Sequence, residues 1–86
     1  MICYLLYNRD TTGQRTAEDL AKRIELEDVE TELVDADSPR GIQLAENYDV
    51  MDRPAVLLVK EDGAIMQVWQ GDQLPPPTDV GYLAHQ

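Results

Sequence analysis

The sequence predicts an α/β domain in which a four-stranded mixed sheet, built in the order β-α-β-α-β-β-α, is flanked by helices. Three observations predict it. Short apolar runs alternate with segments of helical periodicity along the whole chain, the signature of a sheet covered by helices. Ser38-Pro39 is a strong helix start, with serine as N-cap and proline at the first helical position. Glu61-Asp62-Gly63-Ala64 joins two apolar runs as a hairpin turn does.

The elements follow in order. Ile2 to Tyr7 is apolar on both faces, as a central strand covered on both sides should be. Ala17, Leu20, Ala21 and Ile24 recur at i, i+3, i+4 and i+7, the apolar stripe of a first helix. Thr16 with Asp19 resembles a capping box for it, and Thr12 is the other possible start. Val29 to Val34 alternates apolar and polar, which reads as a half-exposed edge strand. The second helix is expected to bury Ile42, Leu44, Ala45 and Tyr48. Residues 49–52 turn into Pro54, and Ala55 to Lys60 is the third strand. Ile65 to Trp69 is the fourth. Leu74-Pro75-Pro76-Pro77 is a stiff spacer, and Thr78 caps a short last helix with Val80, Leu83 and Ala84. Strands joined through helices are expected to be parallel with right-handed crossovers, with the hairpin adding an antiparallel strand.

At 86 residues the chain is one domain, residues 1–86, with a small core. No apolar run is long enough to span a membrane. The chain opens on a strand without a basic-then-apolar leader, so a cytoplasmic location is expected. A single cysteine makes neither an internal disulfide nor a protein-only zinc site. Net charge is −10, from 17 acids against 7 bases, which disfavours nucleic acid and anionic membrane as partners. Seven acids fall between Glu25 and Asp37 without one base. The simple reading of that stretch is a solvated edge that resists strand pairing. A surface for a cationic partner, or loose divalent-ion binding, is the alternative.

With these elements in place, the chain resembles the thioredoxin superfamily, and most of all its small glutaredoxin-like domains. Three features carry the resemblance, which covers nearly the whole chain. Tyr7-Asn8-Arg9 matches the Tyr-x-Lys/Arg lead-in to the active-site loop. Pro54 opens the third strand where the family has a cis-proline, although Arg53 replaces the usual valine or isoleucine before it. Gly71-Asp72 follows the fourth strand, beside the region where glutaredoxins hold the α-amino group of glutathione. The resemblance implies a thioredoxin-like fold of strand order 2-1-3-4, with the first strand central and the fourth antiparallel. The departure is chemical. Thr12-Gly13-Gln14-Arg15 stands about where the family has Cys-x-x-Cys, and no shift of register finds a cysteine.

Each candidate group has a plainer reading beside it. Cys3 lies inside the first strand, where a lone cysteine is a small buried hydrophobe with blunted reactivity. Thr12 with Asp10 as base is a conceivable nucleophile pair, but Asp-Thr-Thr-Gly is also turn and capping chemistry. His85, the only histidine, is penultimate. Tyr48 and Trp69 are core residues by default, with Trp69 a contact anchor if exposed. Arg9, Arg15, Arg40 and Arg53 are expected at the sheet end where the family binds substrates, together with two helix N-termini that favour anions. Either they pair with Asp10, Asp37, Asp49 and Asp52, or they form a pocket for an anion or carboxylate.

Three functions follow. The first is a binding or adaptor domain without redox chemistry, which uses the groove beside Pro54 for an acidic or peptide-like ligand. Arg9, Thr12, Arg15, Arg53, Pro54, Gly71 and Asp72 are its candidate residues, and strand addition its mode. The second is an oxidoreductase or glutathione-dependent activity through Cys3 or a partner's thiol. The third is a structural subunit whose acidic face or Trp69 meets a partner. The missing thiol weighs against an enzyme. No metal is called for, and glutathione is the only cofactor that the resemblance implies.

Overall fold

In a computed structural model, residues 1–86 are described throughout. The elements are β1 (Ile2–Tyr7), α1 (Thr12–Glu25), β2 (Glu30–Asp35), α2 (Pro39–Asn47), β3 (Ala55–Val59), β4 (Ile65–Gln70) and α3 (Pro77–Ala84). They form one sheet of order β2-β1-β3-β4 with β1 in its interior, a thioredoxin-like fold. β1 pairs with β2 in parallel, from Ile2 opposite Glu30 to Tyr7 opposite Asp35.

β3 departs from the rule for strands joined through helices, since it runs antiparallel to β1, with Leu6 opposite Ala55, while its entry at the end where β1 and β2 finish is the one expected for Arg53 and Pro54. The reason lies in the connection. After the short helix α2, residues 48–54 carry the chain back to the end of the sheet where β1 and β2 finish. The third strand therefore enters from that end. β4 returns antiparallel to β3, with a register shift at Leu58/Val59.

The alternation of side chains across the sheet divides the core in two. Cys3, Leu5, Val56 and Leu58 face Ala17, Ala21 and Ile24 of α1 and Val80 of α3. Leu6, Val34, Leu57 and Val59 pack with Ala45 and Val50 on the other face. All five residues of β3 are buried, as its uninterrupted Ala-Val-Leu-Leu-Val requires.

Helix starts explain where the chain turns. Ser38 caps α2, accepting from the Gly41 N–H at 3.0 Å and donating to the Asp35 carbonyl at 2.6 Å. Gly41 is needed because a methyl group there would collide with the Asp35 carbonyl and lie 2.9 Å from Ala36 Cα. That approach sets the face α2 presents, Gly41 and Ala45, and leaves Ile42 48% exposed rather than buried. Leu44 and Tyr48 pack at the margin, and the Tyr48 hydroxyl donates to the Gly63 carbonyl. α1 starts at Thr12 with Thr11 as N-cap, so the box expected at Thr16 and Asp19 does not form. The Thr16 hydroxyl donates instead to the Thr12 carbonyl. α3 starts at Pro77, one residue before the expected cap at Thr78. No helix is long and apolar enough to cross a membrane.

Candidate functional site

The end of the sheet where β1 stops and β3 begins carries a groove of about 440 Å³. One wall is the loop after β1 and the first turn of α1. In that loop Asp10 takes a left-handed φ of 60°, a conformation aspartate tolerates better than most residues. Its N–H donates to the Gln14 side chain at 2.8 Å, which fixes the turn into the helix. The Thr11 hydroxyl donates back to the Asn8 carbonyl at 2.6 Å, and its oxygen accepts no N–H from the first turn of α1. The N–H groups of Thr12 and Gly13 consequently have no partner within the chain. They are donors at the positive end of a fourteen-residue helix with no acid in its first turn.

The second wall is the entry to β3. The Arg53–Pro54 peptide bond is cis. Pro54 packs against α1, so that a Cβ on Gly13 would lie 3.3 Å from its Cδ and press on it by a few tenths of an ångström. The Pro54 carbonyl accepts from the Gly71 N–H at 3.0 Å. The Arg53 N–H and C=O, one residue earlier, make no hydrogen bond within the chain. The Arg53 Nε is shut off from solvent and also lacks a partner.

The loop before Arg53 is held from β4. Gln70 Oε1 accepts from both the Met51 and Asp52 N–H groups, at 2.8 and 3.0 Å. The third wall is Gly71-Asp72 and Leu74, with Gly71 in the left-handed region that closes the turn. The groove thus offers unpaired donors at two places, one free backbone acceptor and one carboxylate, with little apolar lining.

Of the residues singled out from the sequence, Thr12, Arg53, Pro54, Gly71 and Asp72 line this groove together. Arg9 does not. It pairs with Asp35 at 3.0 Å. Arg15 lines a neighbouring surface hollow with Asp10 and Asp19. Arg40 is further away, paired with Glu32 at 2.9 Å and lying over the Tyr4 ring. The expected cluster of four arginines is therefore a single arginine, because the others find acids or open surface nearer their own backbone. The acids they meet, Asp35 and Glu32, are not the ones named from sequence proximity. Gly13, Thr16 and Leu74 also line the groove. The Gly13 contact was concealed because glycine offers no side chain to read.

Cys3 is fully buried on the α1 side of β1, and desolvation pushes its thiol up to about 12. It is held as a thiol away from the groove.

No family model matches this chain, and no curated protein matches it at a significant level. Solved structures do. Thioredoxin 1 from the thermophilic eubacterium Thermosipho africanus superposes with a TM-score of 0.70 at 10% identity, over 99% of this chain and 91% of that one. A structure described as that of a malarial protein superposes with a TM-score of 0.69 at 15% identity, over 98% of this chain and 92% of that one. At these identities the likeness defines the class by architecture: the chain has a thioredoxin-like fold.

Proposed function

We propose that this protein is a thioredoxin-like binding domain without thiol chemistry, whose groove beside Pro54 takes an extended, carboxylate-bearing, peptide-like ligand. The observation that carries the reading is the unpaired backbone of Arg53, set in one groove with the uncapped first turn of α1. A free N–H and C=O on one residue suit an extended chain that adds to the sheet as a strand does. The Thr12 and Gly13 N–H groups and the Arg53 guanidinium suit a carboxylate on that chain, and Asp72 suits an amino group. Arg9 leaves the ligand set, because Asp35 already engages it. The redox alternative through Cys3 has little support, since exchange needs an accessible thiolate and Cys3 offers neither access nor ionisation.

Charge-assisted bonds contribute roughly 1.5–3 kcal/mol each when shielded and much less when wet, so binding through this half-open groove is weak and sensitive to salt. Titration with glutathione and with an acidic peptide, followed by NMR, tests the reading. Amides at residues 8–16, 52–55 and 71–72 should shift together. Arg53→Ala should weaken binding about fivefold, or about 1 kcal/mol. No shifts at millimolar ligand, or shifts confined to residues 25–37, would overturn it.

A further inference from the structure

The groove leaves the most strongly charged part of the chain without a role. β2 is an edge of the sheet, and it pairs with β1 over all six residues without a bulge or a proline. Its outer row of backbone groups is therefore a regular, open ladder. The Ala36 N–H reaches inward to the Tyr7 carbonyl, and strand alternation then turns the N–H and C=O of Thr31 and Leu33 outward. Side chains alternate as well. Glu30 and Glu32 stand on the face that buries Val34, while Thr31 and Leu33 stand on the other. Leu33 is 40% exposed in the middle of the strand.

The charge around this ladder is largely uncompensated. Of the seven acids between Glu25 and Asp37, only Glu32 and Asp35 have ion-pair partners. Three of the others, Glu25, Asp28 and Glu30, line a hollow of about 450 Å³ with Val29 and Thr31 where β2 begins. No three of the chain's acids, cysteine and histidine converge tightly enough to hold a metal ion. A hollow with three spread carboxylates suits a larger organic cation, an ammonium or guanidinium on a flexible stem. The same charge excludes a second copy of this chain, since its β2 would bring like charges opposite each other.

We infer that the β2 edge docks an extended basic segment of a partner protein, which pairs with Thr31 and Leu33 and places a lysine or arginine in the Glu25–Asp28–Glu30 hollow. Alternation defines the partner further. A cationic residue falls beside Glu30, which has no ion-pair partner, and apolar residues on the opposite face cover Leu33. This surface is separate from the Pro54 groove, and each can fail without the other.

A blocked Lys-Val-Lys-Val-Lys-Val peptide, its lysine-to-glutamate counterpart, and a version N-methylated at alternate residues to remove one row of ladder donors are the probes. With the basic peptide, amides of residues 28–35 should shift in NMR, and hydrogen exchange at the Thr31 and Leu33 N–H should slow at least tenfold. The acidic and N-methylated peptides should leave both unchanged. Glu30→Arg, an exposed change that leaves the core untouched, should weaken binding at least tenfold. Equal binding of the N-methylated peptide, or shifts without slowed exchange at Thr31 and Leu33, would reduce the effect to diffuse charge attraction and overturn strand docking. No binding at millimolar peptide, or self-association through β2 on sedimentation, would overturn it outright.

Discussion

Cys3 shows how position within an element decides the chemistry of a residue. On an interior strand, with no exposed surface, its thiol is a small apolar group among Leu5, Ala21 and Val56. Ionisation there would strand a charge without a partner, and the thiol is accordingly pushed up to about 12. A thiol reagent at pH 8 should leave the native protein unmodified and react once denaturant unfolds it. Cys3→Ser should destabilise by about 1–3 kcal/mol, the cost of placing a hydroxyl in an apolar site without a matched partner. Insulin reduction with dithiothreitol should match the protein-free rate. Rapid modification of the folded protein would show that Cys3 is reachable and reopen a thiol function.

At the scale of elements, β1, β2 and α2 meet at Asp35. Its carboxylate accepts from the Asp37 N–H at 2.9 Å and binds Arg9 from the loop after β1, while its carbonyl receives Ser38 at the head of α2. The Asp37 hydrogen bond, together with the Arg9 hydrogen bond and charge, outweighs partial desolvation and holds Asp35 below the ordinary carboxylate range. The folded state therefore holds this proton less tightly than the unfolded one. The resulting stability is present above the unfolded value of about 3.9 and is lost as pH falls through the lower folded value. Urea midpoints of the wild type and Asp35→Asn should differ at pH 6 and converge toward pH 3. Comparing the two proteins largely cancels the chain-wide change in charge. A gap that stays constant down to pH 3 would remove the linkage.

The same scale shows what the sequence could reveal. Strand positions were legible to within a residue, because burial on both faces leaves β1 and β3 no polar positions and alternation marks β2. The direction of β3 follows from the placement of Pro54 beside the first loop and not from the rule for strands joined through helices. It depends on how far residues 48–54 travel, a length that local pattern does not encode. Periodicity places Ile42 in the core, but the backbone contact at Gly41 sets the helix face so that Ile42 is 48% exposed. In the site, Thr12, Pro54, Gly71 and Asp72 came together because backbone topology places them. Arg9 and Arg40 did not, because long side chains choose the nearest acid in space rather than in sequence.

For the molecule as a whole, charge is the dominant unspent term. Seventeen acids against seven bases leave ten excess negative charges, and only three ion pairs form, one of which uses the N-terminal amine and an almost fully exposed Glu61. Exposed pairs contribute little, so screening them sacrifices little. Repulsion among the remaining acids acts over longer distances, and it is strongest from Glu25 to Asp37, where no base intervenes. Raising ionic strength from 0.01 to 0.15 M shortens the Debye length from about 30 to about 8 Å, which cuts off most of that repulsion. Melting temperature at pH 7 should therefore rise with sodium chloride by a few degrees. The gain should shrink in a variant with Glu27 and Asp28 changed to Lys, because fewer like charges remain to screen. A melting temperature that falls with salt would mean that the Arg9–Asp35 and Arg40–Glu32 pairs outweigh the repulsion. The acidic stretch would then be electrostatically settled within the domain and would hold no surplus charge for a basic partner.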